Sequence, residues 1–259
     1  MPDLTCLCGV TLTGRDHTDL VGAMRQHTDE AHADLALGDQ DVADYVDAAL
    51  RMGPPRPRVD VVEHLDVQPL TPDRLHDFLR FFDDEAFPDN PAWASCYCQF
   101  FYIADNERWQ NQSAGDNRAA ACDRIPSGQM TGYLAYVNGE PAGWCNAGPR
   151  PLYPRLDAES ETGDGSTEMA RTGSIVCFVI APPYRRHGIA GQLLKVALDG
   201  FRSQGFTAAE AYPHREAGSD GAAFRGPRSL YESAGFVPFR EMEKQTVMRL
   251  DLMQDSATR

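Results

Sequence analysis

Residues 185–190 read Arg-Arg-His-Gly-Ile-Ala and lie between an apolar run ending at Ala181 and a segment of helical periodicity. A strand, a glycine-containing turn and a helix start together make an anion site. The first helical N–H groups have no backbone partner and point beyond the helix end. Gly188 and Ala190 keep that approach clear of bulky side chains, while Arg185 and Arg186 add positive charge. Amides, helix dipole and guanidinium would hold a pyrophosphate together. A basic surface turn is the plain alternative. A second constellation stands at the N-terminus, where Cys6-x-Cys8 is followed by His27-x4-His32. Two thiolates on a hairpin and two imidazoles near a helix end form a ββα arrangement able to close a tetrahedral zinc site. The Cys-x-Cys spacing is tighter, and the intervening segment longer, than in common zinc fingers. Structural zinc and metal-free packing both remain open.

The elements that must position these residues follow from pattern. Ser174–Ala181 is an almost continuous β-branched, apolar run, as expected of a strand buried on both faces, and Pro182-Pro183 stops it. Ile189, Leu193, Val196, Ala197 and Phe201 share one face of a helix that ends at Gly205, and a strand over Phe206–Tyr212 follows. Upstream, Val59–Val67 alternates like a strand. Thr71 and Pro72 open a helix to about Glu85, and a polar helix is expected over Asn106–Arg124. Met130–Val137, Asn138-Gly139 and Pro141–Ala147 read as a hairpin with a type I′ turn. Residues 86–104 are aromatic and irregular, and 148–172 read as a long loop. Its acids Asp157, Glu159, Glu161, Asp164 and Glu168 outnumber Arg150, Arg155 and Arg171, which leaves either a solvated loop or a mild preference for a cationic partner. Before all this, a short hairpin and two helices fill residues 1–54, and Met52-Gly-Pro-Pro-Arg-Pro57 reads as a linker, so the expected division is 1–54 and 55–259.

In this order the pieces resemble the GNAT superfamily of acyl-CoA-dependent N-acetyltransferases. That family's pyrophosphate signature, Arg/Gln-x-x-Gly-x-Gly/Ala, is matched by Arg185-Arg-His-Gly188-Ile-Ala190. Its preceding Val/Ile-x-Pro step is matched by Ile180-Ala-Pro-Pro-Tyr184, and its Tyr-x-x-x-Gly-Phe by Tyr231-Glu-Ser-Ala-Gly235-Phe236. The final Val247–Leu252 resembles the family's last strand.

The resemblance implies an α+β fold: a mixed, mostly antiparallel sheet flanked by helices and splayed between the 174–181 and 206–212 strands, here preceded by a small ββαα module. It implies acetyl-CoA as cosubstrate, with Phe178 and Ile180 pairing with pantetheine and the thioester near Cys177–Val179. The amides of Arg186, His187, Gly188, Ile189 and Ala190 would then meet the pyrophosphate. It implies attack by the primary amine of a small molecule in a ternary complex, with a strand N–H as oxyanion donor. Tyr231 would be the proton donor to the thiolate; packing is its alternative role. Glu210 is a candidate base, since an alkyl ammonium with a pKa near 10 must lose a proton before attack. Glu210 is equally readable as an edge carboxylate paired with an arginine, and water could carry the proton instead. His214 reads as a solvated loop residue, Cys177 as buried packing, and Cys96 and Cys98 as core or pocket lining rather than metal ligands. A catalytically inactive acyl-CoA-binding scaffold is the rival reading. Many relatives dimerise, so a homodimer is a candidate assembly. The front segment itself resembles small Cys-x-Cys-Gly…His-x4-His modules of unknown function.

Composition bounds these readings. The chain has 259 residues and a formal net charge of −14, which opposes binding to nucleic acid and to anionic membranes. Residues 1–54 alone hold ten acids against three arginines, so a DNA-reading finger is disfavoured. No apolar run is long enough to span a bilayer and no basic-then-apolar leader opens the chain. With seven cysteines, an odd count, reduced thiols and a cytoplasmic location are expected.

Overall fold

The structure, a computed structural model, describes residues 1–35, 37–158, 167–215 and 224–253. The N-terminal segment comprises β1 (Asp3–Thr5), β2 (Thr11–Thr13), α1 (His17–Ala31) and α2 (Asp39–Met52). β1 and β2 form their own antiparallel sheet. Asp16 caps α1 by accepting from the Asp19 N–H, which satisfies one of the orphan donors of the first turn.

The larger sheet has seven strands: β3 (Leu65–Pro69), β4 (Gly132–Val137), β5 (Glu140–Pro149), β6 (Thr172–Ile180), β7 (Ala208–Ala211), β8 (Val237–Glu241) and β9 (Thr246–Asp251). Their order is β3-β4-β5-β6-β7-β9-β8. Only β6 and β7 run parallel; the other neighbours are antiparallel. The expected mixed, mostly antiparallel architecture is therefore present. Asn138 and Gly139 take φ angles of 53° and 83°, the positive values a type I′ turn demands and the reason this dipeptide joins β4 to β5.

The helices are α3 (Leu75–Arg80, whose last turn widens through Glu85), α4 (Asn106–Gln110), α5 (Ala114–Arg124), α6 (Pro154–Ala158), α7 (Thr167–Ala170), α8 (Ile189–Ser203) and α9 (Arg228–Ser233). On one sheet face α8 buries Ile189, Leu193, Leu194, Ala197, Leu198 and Phe201 against Ile175, Phe178, Ala209 and Ala211. Each of the larger side chains contributes about 1.5–3 kcal/mol. The other face carries an aromatic core that includes Phe78, Phe81, Phe82, Phe87, Tyr97, Trp144 and Tyr212. No helix among the described residues is long and apolar enough to cross a membrane.

Four expectations need correction. The alternating run from Val59 becomes a strand only at Leu65, because Val59 donates its N–H to the Pro183 carbonyl instead of joining the sheet. The polar helix over 106–124 breaks in two. The first piece ends at Gln110 with Asn111 as its cap, and Ser113 caps the second, its hydroxyl and the Asp116 carboxylate each accepting the other residue's N–H at 3.1 Å. The strand over 206–212 shortens to Ala208–Ala211. The stretch 148–172 is not a bare loop: β5 runs on to Pro149, and Arg150 and Arg155 are buried. Arg150 pairs with Asp157 at 2.7 Å, while Arg155 donates to the Phe100 and Ile103 carbonyls at 2.9 and 2.7 Å. Glu159, Glu161 and Asp164 lie outside the described residues.

The N-terminal segment docks through α2. Ala48 and Met52 join the aromatic core of Phe78, Phe81 and Phe82. Asp44 accepts from the Ala114 N–H at the start of α5 (2.7 Å), and Arg51 donates to the Asp83 carbonyl (2.8 Å). The Asp83 carboxylate in turn takes Tyr97 Oη at 2.5 Å and Arg118 Nη2 at 2.9 Å. Burial alone would push this carboxyl up; Arg118 and Tyr97 outweigh it and hold the pKa below the ordinary value. A depressed carboxyl contributes stability above its unfolded pKa of about 3.9 and loses it as pH falls through the folded value. Asp83→Asn is therefore expected to cost about 2 kcal/mol at neutral pH, the scale of a hydrogen bond to a charged group. The gap to wild type should close in urea titrations run below about pH 4. A gap constant with pH would remove the charge from this account.

Candidate active site

β6 and β7 pair at Thr172↔Ala208, Gly173↔Ala209, Ser174↔Glu210 and Ile175↔Ala211, and there the pairing ends. The same point carries a bulge. On the β5 side Asn146 faces Cys177 and Ala147 faces Ile175, so Val176 is the extra residue. A bulge bends its strand and re-aims the residues after it. Beyond it, Ala181 donates its N–H to the Ala142 carbonyl, toward β5. Backbone groups alternate sides along a strand, so Ile180 and Phe178 direct theirs the opposite way, into the gap that β7 has left. The splay expected between these strands is thus present, with its main-chain groups facing the gap.

At the end of β6 the turn 181–188 reverses the chain into α8. Arg186 and Gly188 both adopt left-handed backbone, with φ of 69° and 77°, and Gly188 is the residue before the first helical turn. A Cβ built on Gly188 or Gly191 would meet nothing within 4 Å, so the ground in front of the first helical amides is open. Arg186 is exposed beside it.

The neighbouring side chains are engaged within the protein. Arg185 donates through Nε to the Ile180 carbonyl at 2.9 Å and pairs with Asp89, Nη2 to Oδ1 at 3.1 Å. His187 Nε2 donates to the Val59 carbonyl at 3.0 Å. Arg185 therefore ties the 87–90 loop to the end of β6, and His187 ties Val59 to the turn, whereas Arg186 is exposed. Val179 is buried against the aromatic core, and Ile189 and Ala190 begin α8.

Tyr231 on α9 is fully buried between Phe178 and Phe236, with ring centroids 6.4 and 5.5 Å away. Its hydroxyl donates to the Arg225 carbonyl at 2.6 Å. Burial pushes the phenol well above its ordinary value, so it stays protonated. Glu210 sits one residue before the strands part. It accepts Arg249 Nη1 at 3.2 Å and Tyr212 Oη at 3.0 Å. Tyr212 and Ser174 hydroxyls are 2.8 Å apart. With Tyr212's hydrogen given to Glu210, Ser174 is the donor of that pair. Glu210 is thus paired with an arginine, on a strand flanked by β6 and β9. His214 bridges to Gln245 in an isolated ladder contact.

Several site residues carried no sequence signal. Asp89 and Val59 reach the 185–188 turn from far away in the chain. Tyr97 and Cys98 hold consecutive left-handed angles, φ 42° and 55°, a strained arrangement for non-glycine residues. Trp144 Nε1 on Cys98 Sγ (3.2 Å) and Gln99 Nε2 on the Tyr97 carbonyl (3.0 Å) fix it. Cys98 and Cys177 are buried in the aromatic core.

At the other end of the molecule Cys6, Cys8, His27 and His32 come together, all four ligand atoms within 4.8 Å of one another. Burial pushes the Cys6 thiol up. Backbone hydrogen bonding with Val10, then His32, brings the Cys8 thiol down to about 6.

The model of the Acetyltransferase (GNAT) family matches residues 76–236. Solved structures that match include an N-acetyltransferase from Staphylococcus aureus Mu50 (14% identity, TM-score 0.45, 73% of this chain and 99% of that one). Another is PaiA N-acetyltransferase from Thermoplasma acidophilum in complex with coenzyme A (14%, 0.44, 73% and 99%). A third is the ribosomal-protein-alanine N-acetyltransferase from Brucella melitensis (13%, 0.43, 72% and 99%). No curated protein matches the chain. The matched span runs from α3 across the splayed strands, the 185–190 turn and α8 to Phe236, and the chain belongs to the acetyltransferase (GNAT) family.

Proposed function

We propose that the protein transfers an acetyl group from acetyl-CoA to a primary amine of a small molecule, by direct attack in a ternary complex. The observation that carries this reading is the parting of β6 from β7 after Ile175↔Ala211, with open helix-start amides beyond the end of the same strand. Main-chain groups of Phe178 and Ile180 would pair with pantetheine as a false strand. The Ile180 carbonyl already accepts Arg185, and its second lone pair remains for a ligand N–H. The amides from Arg186 to Ala190 would hold the pyrophosphate, with Arg186 adding charge and Arg185 and His187 shaping the turn.

Bound acetyl-CoA supplies an activated acyl thioester. Toward it the Phe178 N–H is the preorganised donor for negative charge developing on the carbonyl oxygen. Tyr231, packed on Phe178 and held protonated, is the proton source for the departing thiolate. The amine would approach from the sheet face opposite α8, where Phe224 meets Phe87 edge-on at 5.5 Å and Trp93 at a tilt at 5.0 Å. Aromatic faces and a net charge of −14 suit a cationic acceptor.

Glu210, charge-compensated by Arg249, holds Tyr212 in place, and the amine's proton leaves to solvent. Glu210→Gln is accordingly expected to lower kcat less than tenfold and to leave its pH profile in place. Loss of the acidic limb of that profile would restore Glu210 as the base.

The function is tested by following thiol release from acetyl-CoA with a panel of small primary amines. Amine-dependent release is expected. Saturable acetyl-CoA binding with no release for any amine would favour a non-catalytic acyl-CoA-binding domain instead. The division of the chain near residue 54 belongs to the same proposal, since α2 ends at Met52 and the separate two-stranded sheet lies entirely before it.

A further inference from the structure

We propose that Cys6, Cys8, His27 and His32 hold one zinc ion in a closed tetrahedral site that keeps the N-terminal segment folded against the acetyltransferase body. Cys6 Sγ lies 3.5 Å from His32 Nε2, and Cys8 Sγ lies 3.3 Å from His27 Nε2. Four atoms bound to zinc at about 2.0–2.3 Å in a tetrahedron stand roughly 3.3–3.8 Å apart. The two Cys–His pairs thus already stand at the spacing an ion would impose, and all four ligand atoms lie within 4.8 Å of one another. Two sulfurs and two imidazole nitrogens are also the ligand set that zinc prefers in structural sites.

Both unusual spacings have a local cause. The hairpin closes tightly over the cysteines: Cys6 donates its N–H to Val10 and Gly9 donates to Cys6, each at 2.8 Å. Gly9 at φ 89° turns the chain, so a Cys-x-Cys pair can present both sulfurs to one point. His27 and His32 are five residues apart, which on a continuous helix would separate their directions by about 140°. His32 is instead the residue where α1 ends, at φ −137°. Leaving the helix there brings its ring to 5.1 Å from that of His27.

The segment also needs a staple. Its own core consists of Leu4, Cys6, Leu20, Met24, Val42 and Val46. A core that small does not hold two helices and a hairpin by burial alone, and metal sites are a recurrent remedy in domains of this size. Four protein ligands leave no open position, so the ion's role is structural. Its energy goes into folding the hairpin onto α1. That in turn fixes α2, whose Ala48, Met52, Asp44 and Arg51 contact the aromatic core, α5 and Asp83.

The test uses the full-length protein purified without chelator and loaded with zinc, with metal measured after desalting. One zinc per chain is expected, and cobalt(II) in its place should give the intense visible bands of a tetrahedral thiolate site. Chelation should lower Tm, and zinc should restore it. Cys8→Ser, at an exposed position, should retain at least tenfold less zinc after the same desalting. Well under one zinc in the loaded wild-type protein, or a cobalt spectrum lacking tetrahedral thiolate bands, overturns the proposal. So does one equivalent retained unchanged by the Cys8→Ser, His27→Ala double variant. The wild-type arms need no variant to fold.

Discussion

Gly188→Val should weaken acetyl-CoA binding by ten- to several-hundredfold while leaving the protein folded. Gly188 holds φ 77° and ψ 5°, a region that costs an L-residue about 1–2 kcal/mol, more for a β-branched one. Its Cβ would meet no atom within 4 Å, so no core contact is disturbed and the stability loss stays near that backbone value. The space the side chain would fill is the space in front of the first amides of α8. Each charge-assisted hydrogen bond from an amide to phosphate is worth about 1.5–3 kcal/mol. Tenfold in affinity is about 1.4 kcal/mol, so losing one such contact costs roughly ten- to 150-fold, within the stated range. Gly188→Ala should fall between wild type and valine. Calorimetric affinity paired with a melting curve separates the two effects. A folded valine variant with wild-type affinity would take the pyrophosphate away from this turn.

Tyr231→Phe should lower kcat by about a hundredfold or more, the range of a positioned general acid, with the KM for acetyl-CoA within about twofold of wild type. The ring is fully buried against Phe178 and Phe236, and phenylalanine preserves that packing. Only the hydroxyl and its bond to the Arg225 carbonyl at 2.6 Å are lost, at about 1 kcal/mol of stability. A structural hydroxyl would move Tm and leave kcat alone. An acid moves kcat, with the largest effect for amines whose acetylation depends most on thiolate departure. Wild-type kcat in the folded variant assigns Tyr231 to packing.

The strand ending at Ala181 and the helix start after Gly188 are legible because each depends on local chemistry, whereas the splay and the last helix come from the resemblance. A β-branched run stopped by Pro182-Pro183 can only be a buried strand that ends there, and Gly188 before an amphipathic stretch can only begin a helix. Glu210 was half legible: its place in the strand was readable, but the register that puts it opposite Arg249 comes from a segment 39 residues away. Alternation over Val59–Val67 reports side-chain exposure and does not reveal that Val59 pairs with the Pro183 carbonyl. Ser113 gives no signal as a cap inside a run whose composition is helical throughout. Asp83 and Asp89 had no signal at all, being ordinary acids whose partners Arg118 and Arg185 are brought to them by tertiary packing. The left-handed pair Tyr97–Cys98 likewise exists only because the sheet and α3 hold it.

The gap between β6 and β7, with the turn at 185–190, is the proposed acyl-CoA site. Calorimetric titration of the purified protein with acetyl-CoA checks it, with longer acyl-CoAs and dephospho-CoA as companions. Saturable one-to-one binding at about micromolar affinity is expected, retained by dephospho-CoA because it keeps the pyrophosphate. No binding of any of these ligands to the folded protein would contradict it.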